Sequence, residues 1–313
     1  MTGLGEDRML RGKKTVAALV VLIFLVGMSN AVVPARAGST VIHVYEGQSI
    51  QAAVNMAIDG SLIIVHAGTY PESVSIDKRL TLLSLGARID APESESEGIK
   101  IGAFGVKVSG FAIHAWSGIL VNGASDCLIS NNEIYSQFYG VVLDGNPSNI
   151  SILNNKVHTS EHAIYVIAGS NIVMRNNIVY ANQMGITMWG PEARIFDNVI
   201  YAGCYGVNVM DCDGANIRNN QIQASQIGIH LMGSRGAISR NSVSGDFWSG
   251  IAIEADSKSN IVFFNQITGG NYPGDVGIGL GLETSGNLVA LNKMSNVDAK
   301  IVDEGVGNVI IAN

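Results

Sequence analysis

The sequence predicts an all-β fold, a parallel β-helix solenoid with three short strands per turn of about 22 residues and an N-terminal capping helix. Two markers that keep step along the chain predict it. An Asn followed two residues later by an aliphatic side chain occurs at Asn132, Asn155, Asn177, Asn198, Asn220, Asn241, Asn265 and Asn292, at intervals of 23, 22, 21, 22, 21, 24 and 27 residues. A small residue before an apolar-x-apolar triplet begins at Gly118, Gly140, Ala163, Gly185, Gly206, Gly228, Gly250 and Gly277, at intervals of 22, 23, 22, 21, 22, 22 and 27. Composition is the third observation: 37 Gly and 27 Asn beside abundant Ile and Val signal many short strands and tight turns.

The elements follow in chain order. Arg8, Arg11, Lys13 and Lys14 precede an apolar run from Val16 to Met28, and Ala35-Arg36-Ala37 has the small-x-small pattern of a signal-peptidase site, so residues 1–37 read as a secretory signal. No later stretch is apolar and long enough to span a membrane. Residues 38–79 read as an N-terminal cap of strand, helix and strand: Val41 to Tyr45, then Gln48 to Ile58 with helical apolar spacing at Ile50, Ala53, Val54 and Ala57, then Leu62 to His66. A helix there would cover the first turn, whose core an open array would expose.

Residues 80–313 read as the repeats. In the unit Gly140 to His162, alternation sends Val141 and Leu143, then Ile150 and Ile152, then Val157 to one interior. Repeats of helices would need longer units, and a Leu-rich horseshoe would carry a helix per unit. The Asn pairs fall between the second and third strands, where a two-residue corner needs a left-handed backbone and stacked amides can bond from turn to turn. The longest corner, Thr268 to Val276, accounts for the 27-residue interval. The sequence stops at Val309 to Asn313 partway through a turn with no evident cap, which makes self-association through that turn an expectation.

Charge and cysteine content narrow the function classes. Only 14% of residues are charged and the net charge is -7, becoming about -10 without the leader, which disfavours nucleic acid and anionic lipid as partners. Three cysteines, Cys127, Cys204 and Cys212, are too few for a disulfide framework.

From Val41 to Asn313 the chain resembles the right-handed parallel β-helix superfamily, and most closely its NosD-like, carbohydrate-binding-and-sugar-hydrolysis type of repeat. Ser49-Ile50-Gln51-Ala52-Ala53 and Ala67-Gly68-Thr69-Tyr70-Pro71-Glu72 resemble the opening segment of such exported proteins, and the Gly-Ile-x-Ile and Asn-Asn-x-Ile units resemble the repeat. The resemblance implies a pectate-lyase-like fold and a secreted, periplasmic or cell-surface location. It does not choose among polysaccharide lyases, hydrolases, epimerases, copper delivery to nitrous-oxide reductase and non-catalytic surface modules.

Outward positions of the first strand form two rows, Leu120, Val142, Tyr165, Thr187, Asn208, His230 and Ala252, and Asn122, Asp144, Ile167, Trp189, Met210, Met232 and Glu254. Tyr165, Trp189, Asn208 and Asp211 are the expected substrate-binding residues, because a ring beside polar groups suits a sugar. Asp213, His230, Arg235 and Glu254 are the catalytic candidates. Two carboxylates suit a glycosidase, and a base with a cation for the uronate carboxyl suits a lyase or epimerase. Arg235 and Arg240 keep the arginine spacing of the pectate-lyase R-x-P-x-x-R motif, but Ala237 replaces its proline, and no Gly-His-Gly, Asp-Asp or Asp-Pro-His-Asp signature is present. The motifs therefore weigh against catalysis. Met210, His230 and Met232 form the alternative metal set, since thioether with imidazole suits Cu(I). The sequence assures no cofactor; calcium and copper are the two candidates. A third-strand row, His114, Tyr135, His158, Tyr180, Tyr201 and Gln223, should point outward and stack, which reads as structural, with a second sugar-binding strip as the alternative. The reading is an exported solenoid that binds an extended carbohydrate or cell-envelope glycan along its first-strand face. A copper-handling protein, a uronate-polymer enzyme and a structural surface module are the alternatives.

Overall fold

A computed structural model describes residues 40–91 and 96–313. The leader assigned to residues 1–37 lies outside the described residues. From Thr40 onward the chain is an all-β parallel solenoid of about 12 turns. Each strand pairs in parallel with the strand one turn on: Ser151–Leu153 with Val173–Arg175, Lys156–Thr159 with Ile178–Ala181, and His162–Val166 with Met184–Trp189. Ile and Val fill the interior because alternate residues of every strand point inward; Ile129, Ile152, Val157, Ile164, Ile186, Ile200 and Ile229 are fully buried.

The two sequence markers have separate physical causes. At the corner after the second strand, Asn131, Asn154, Asn176 and Asn219 hold left-handed backbone with φ of 55 to 57°. The following Asn points inward and forms a ladder. Asn155 Nδ2 donates to Asn177 Oδ1 (3.1 Å), Asn177 Nδ2 to Asn198 Oδ1 (3.0 Å) and Asn198 Nδ2 to Asn220 Oδ1 (2.9 Å). Glycine leads the first strand because backbones approach closely there. A Cβ on Gly140 would lie 2.2 Å from Val157 Cγ1 and 2.4 Å from the Ala163 carbonyl oxygen.

The early turns differ from the expected pattern of separate short strands. Ser61–Tyr70 and Leu80–Asp90 each continue through a corner that lacks the Asn pair, and Gly86 takes the positive φ (94°) in the second. Ala112–Asn122 and Glu133–Asp144 each run the third strand into the next first strand, with a register shift between Ala115 and Ser117.

The only helix among the described residues is Ile50–Met56. Ser49 caps it, its side chain accepting from the Ala52 amide, and the Glu72 carboxylate accepts from the Ile50 and Gln51 amides (2.6 and 3.1 Å). Its apolar face, Ile50, Ala53 and Val54, packs into the core.

Candidate functional site

The pairing register puts Tyr165, Thr187, Asn208 and His230 on successive rungs of one row. Trp189 pairs with Met210, and the Val209–Leu231 and Leu231–Ile253 pairs place Met232 and then Glu254 on the following rungs. Both outward rows therefore lie as the periodicity orders them.

Their burial is the unexpected part. Thr187, Asn208 and His230 point away from the core yet are 0%, 5% and 6% exposed. Tyr205 meets the His230 ring edge-on at 5.8 Å, and on the same strands Trp189 and Met210 follow Thr187 and Asn208 on the adjoining row. Thr187 Oγ1 is buried with no hydrogen-bond partner.

His230 joins the two rows. Its Nδ1 lies 2.7 Å from the Asn208 side-chain amide and its Nε2 lies 3.2 Å from Glu254 Oε2. Burial pushes the imidazole below its ordinary pKa, and the Glu254 carboxylate pulls the other way. A neutral ring beside a carboxylate, which can only accept, carries its proton on Nε2. As placed, Nδ1 faces the Asn208 side-chain oxygen, also an acceptor, so a ring with its one proton on Nε2 would accept at Nδ1 only if the Asn208 amide were turned to present its NH2. Burial also raises the nearby Tyr205 hydroxyl, with Glu254 adding to the effect.

The remaining catalytic candidates form a second set. Arg235 Nη2 donates to Asp213 Oδ2, and the Ser234 amide donates to Asp213 Oδ1 (3.1 Å). Both side chains of the ion pair are more than half exposed, so it contributes little to stability, and it occupies the guanidinium expected to meet a uronate. Arg235 and Arg240 sit at opposite ends of the strand Ala237–Ser239, in left-handed backbone on successive corners. Asp211 is exposed in left-handed backbone directly after Met210. Among the described residues, no three His, Cys, Asp or Glu side chains converge as a metal-holding group.

Trp189 differs from most rings on the surface. Tyr139 and Tyr165 stack nearly parallel (5.3 Å, 12°), whereas Trp189 meets Tyr165 at 84° and 5.5 Å. The stack therefore ends at Tyr165, and the indole stands partly exposed on the row that continues through Met210 and Met232 to Glu254, three rungs on.

The third-strand row stacks as expected. The ring pairs from His114 to Tyr135, His158, Tyr180 and Tyr201 have centroids 4.6 to 5.0 Å apart. Beside it runs a groove, whose concavity the sequence did not disclose, lined by this row and by Trp116, Ser136, Thr159, Ala181 and Ala202. Its signal was present as a small residue directly after each outward ring. Trp116 stacks on Phe138 (5.5 Å, 10°) across the groove from the row. His158 Nε2 is buried without a partner, and burial, with Lys156 adding to it, lowers the His158 pKa. The long corner after Thr268 belongs to the same edge of the solenoid. The Asn271 amide donates to Asp246 Oδ1 (2.9 Å), and Tyr272 lies near Trp248 (6.4 Å).

Comparison with known proteins agrees with this architecture. A family described as right handed beta helix region matches residues 94–188. A cell surface glycoprotein of Methanothermus fervidus is 35% identical over 155 residues, which is 45% of this chain and 26% of that protein, so the match spans about a quarter of the relative. The fold is similar to PfbA, a surface protein and adhesin of Streptococcus pneumoniae (TM-score 0.60, 12% identity, covering 83% of this chain and 94% of that one). It is also similar to the mannuronan C-5 epimerase AlgE6 A-module of Azotobacter vinelandii (TM-score 0.62, 14% identity, 84% and 93%). At such identities the likeness is one of fold alone. The family described as periplasmic copper-binding protein (NosD) matches residues 146–310, more than half of the sequence, and the chain belongs to that family.

Proposed function

We propose that this chain is an exported solenoid that binds an extended glycan along its first-strand face without turning it over. The observation that supports the reading most is the unstacked, partly exposed Trp189 beside Tyr165, on the outward row that also carries Glu254. The indole offers a pyranose a hydrophobic platform, and the exposed Glu254 carboxylate further along the row offers a hydroxyl acceptor, while Asn208 and His230 are buried beneath the face. Asp211, one residue beyond Met210, adds an exposed acceptor. The leader-like residues 1–37, the family description and the cell-surface relative support a location outside the cytoplasm. In this reading the three-strand turn is the repeating unit, and the segment 38–79 with its helix covers the first turn.

The experiment is a glycan array followed by fluorescence titration of the best ligand, on the wild type and on Trp189→Ala. At least tenfold weaker binding in the variant is expected. Equal binding by both proteins, or release of shortened or unsaturated products from polyuronates, defeats the reading.

The family description favours copper handling as a second reading. Met210 and Met232 stand on adjacent rungs and are half-buried, and two thioethers suit a soft monovalent ion. His230 does not fit as arranged, because both ring nitrogens already have partners; Glu254, at 3.2 Å, holds the longer contact. Copper as cargo would therefore rest on the two thioethers and displace Glu254 to recruit the imidazole. Competition for Cu(I) against a chelator, lost in Met210→Leu with Met232→Leu, is the expected result of this reading.

A further inference from the structure

The corner between the third strand and the next first strand carries a concavity distinct from the Trp189 patch. Two adjoining cavities share His158 and Thr159 and together follow the edge from Asp90 to Gly203. The row Asp90, His114, Tyr135, His158, Tyr180, Tyr201 advances one rung at a time, so the groove runs roughly 24 Å along the axis. That length accommodates several units of an extended polymer.

The lining specifies the chemistry. The rings of this wall stack face to face, so they turn their edges, not their faces, toward the groove. Aromatic edges are electropositive and attract oxygen lone pairs. Small residues, Ser136, Thr159, Ala181 and Ala202, form the floor, while the exposed Gln137, Ser160 and Asn182 stand at its lip. The unpartnered Nε2 of His158 is one further polar atom in this wall. Among the described residues charge is nearly absent: no Lys or Arg lines either cavity, and the one carboxylate in the lining, Asp90, is held by Arg88 at 2.6 Å. A polyanion entering here would lose water without meeting a counter-charge.

We propose that this corner groove binds an extended neutral polysaccharide, recognised by its hydroxyl and ether oxygens, and that it acts independently of the Trp189 face. Affinity electrophoresis in gels containing hydroxyethylcellulose, galactomannan, xylan or polygalacturonate tests it. The proteins compared are the full chain, the groove variant Ser160→Arg with Asn182→Arg, and Trp189→Ala. Both groove substitutions are at exposed positions, and unchanged circular dichroism and melting verify the fold. Retardation by at least one neutral polymer is expected, weakened tenfold or more in the groove variant and unchanged in Trp189→Ala. Retardation by none of the neutral polymers, a groove variant that binds like the wild type, or retardation by polygalacturonate alone overturns the proposal. Loss confined to Trp189→Ala also overturns it while leaving the first-strand reading intact. Loss confined to the groove variant supports it and leaves the Trp189 reading to be decided by the array ligand's own titration.

Discussion

Replacing Asn198 by alanine removes one rung of the internal amide ladder, and the cost can be worked from its contacts. Asn198 Oδ1 accepts from the Asn177 amide N–H (2.9 Å) and from Asn177 Nδ2 (3.0 Å), while its own Nδ2 donates to the Met174 carbonyl (3.0 Å) and to Asn220 Oδ1 (2.9 Å). Both Asn177 and Asn198 are at most 1% exposed, so water cannot replace the lost acceptor. Two donors of Asn177 are left unmade, and at about 1–3 kcal/mol for each buried unsatisfied group the variant should lose about 2–6 kcal/mol. The control lies one residue before the ladder in the preceding turn. Asn176 holds φ 55°, which glycine adopts without strain, so Asn176→Gly should change stability by no more than about 0.5 kcal/mol. Urea unfolding measures the totals. Amide exchange at Asn177 and its neighbours measures the local loss, because a repeat array need not unfold as one unit. An Asn198→Ala loss below about 1 kcal/mol, or one equal to that of Asn176→Gly, would refute the claim that the ladder holds the turns together.

Further substitutions test the neighbouring parts of the account. A Cβ on Gly206 would lie 2.3 Å from Ile222 Cγ2 and 2.6 Å from the Gly228 carbonyl oxygen, so Gly206→Ala should lower the urea midpoint by an amount equivalent to about 1–3 kcal/mol or more. Thr187 buries a hydroxyl that bonds nothing, and Thr187→Val should stabilise the fold by about 1 kcal/mol; destabilisation would point to a partner at that hydroxyl. Burial lowers the pKa of His158, His162 and His230 below the ordinary 6.5, so the unfolded chain takes up protons that the folded chain refuses. The stability from these groups is full above pH 6.5 and falls as pH drops through the lowered folded values. Melting temperatures at successive pH values should decline over that window, and a rise would contradict the assignment. Glu254→Gln removes the anion that opposes the effect of burial, and the His230 titration, followed by NMR, should move further down.

How far these features could be read from residues alone depends on how tightly physics restricts each position. The Asn corner and the Gly-led strand were legible because left-handed backbone and a 2.2 Å approach admit few residue types. Late corners show the limit: Arg240, Phe264 and Leu291 occupy the same left-handed position without the Asn signal. The order of Tyr165, Thr187, Asn208 and His230 followed from period alone, but their burial did not. An outward position on a strand is covered or open according to neighbours on other rungs, and Tyr205 was not in the rows that periodicity singled out. The pairing of Arg235 with Asp213 depends on corner geometry, which spacing does not determine. A second amide ladder, Asn260 to Asn287 to Asn308, escaped notice because it occupies only the last turns. The ring row that walls the corner groove was legible, but the concavity beside it was not, because the regular Ser, Thr or Ala after each ring does not by itself distinguish a floor from a flat face.

The most direct measurement is hydroxyl-radical footprinting of the full chain with and without the glycan that binds best on an array. Protection of Trp189, Tyr165 and Met210 on the first-strand face is the expected result. Glycan binding that leaves all three as reactive as in the free protein, or protection of Met210 and Met232 by Cu(I) with none by any glycan, would contradict the account.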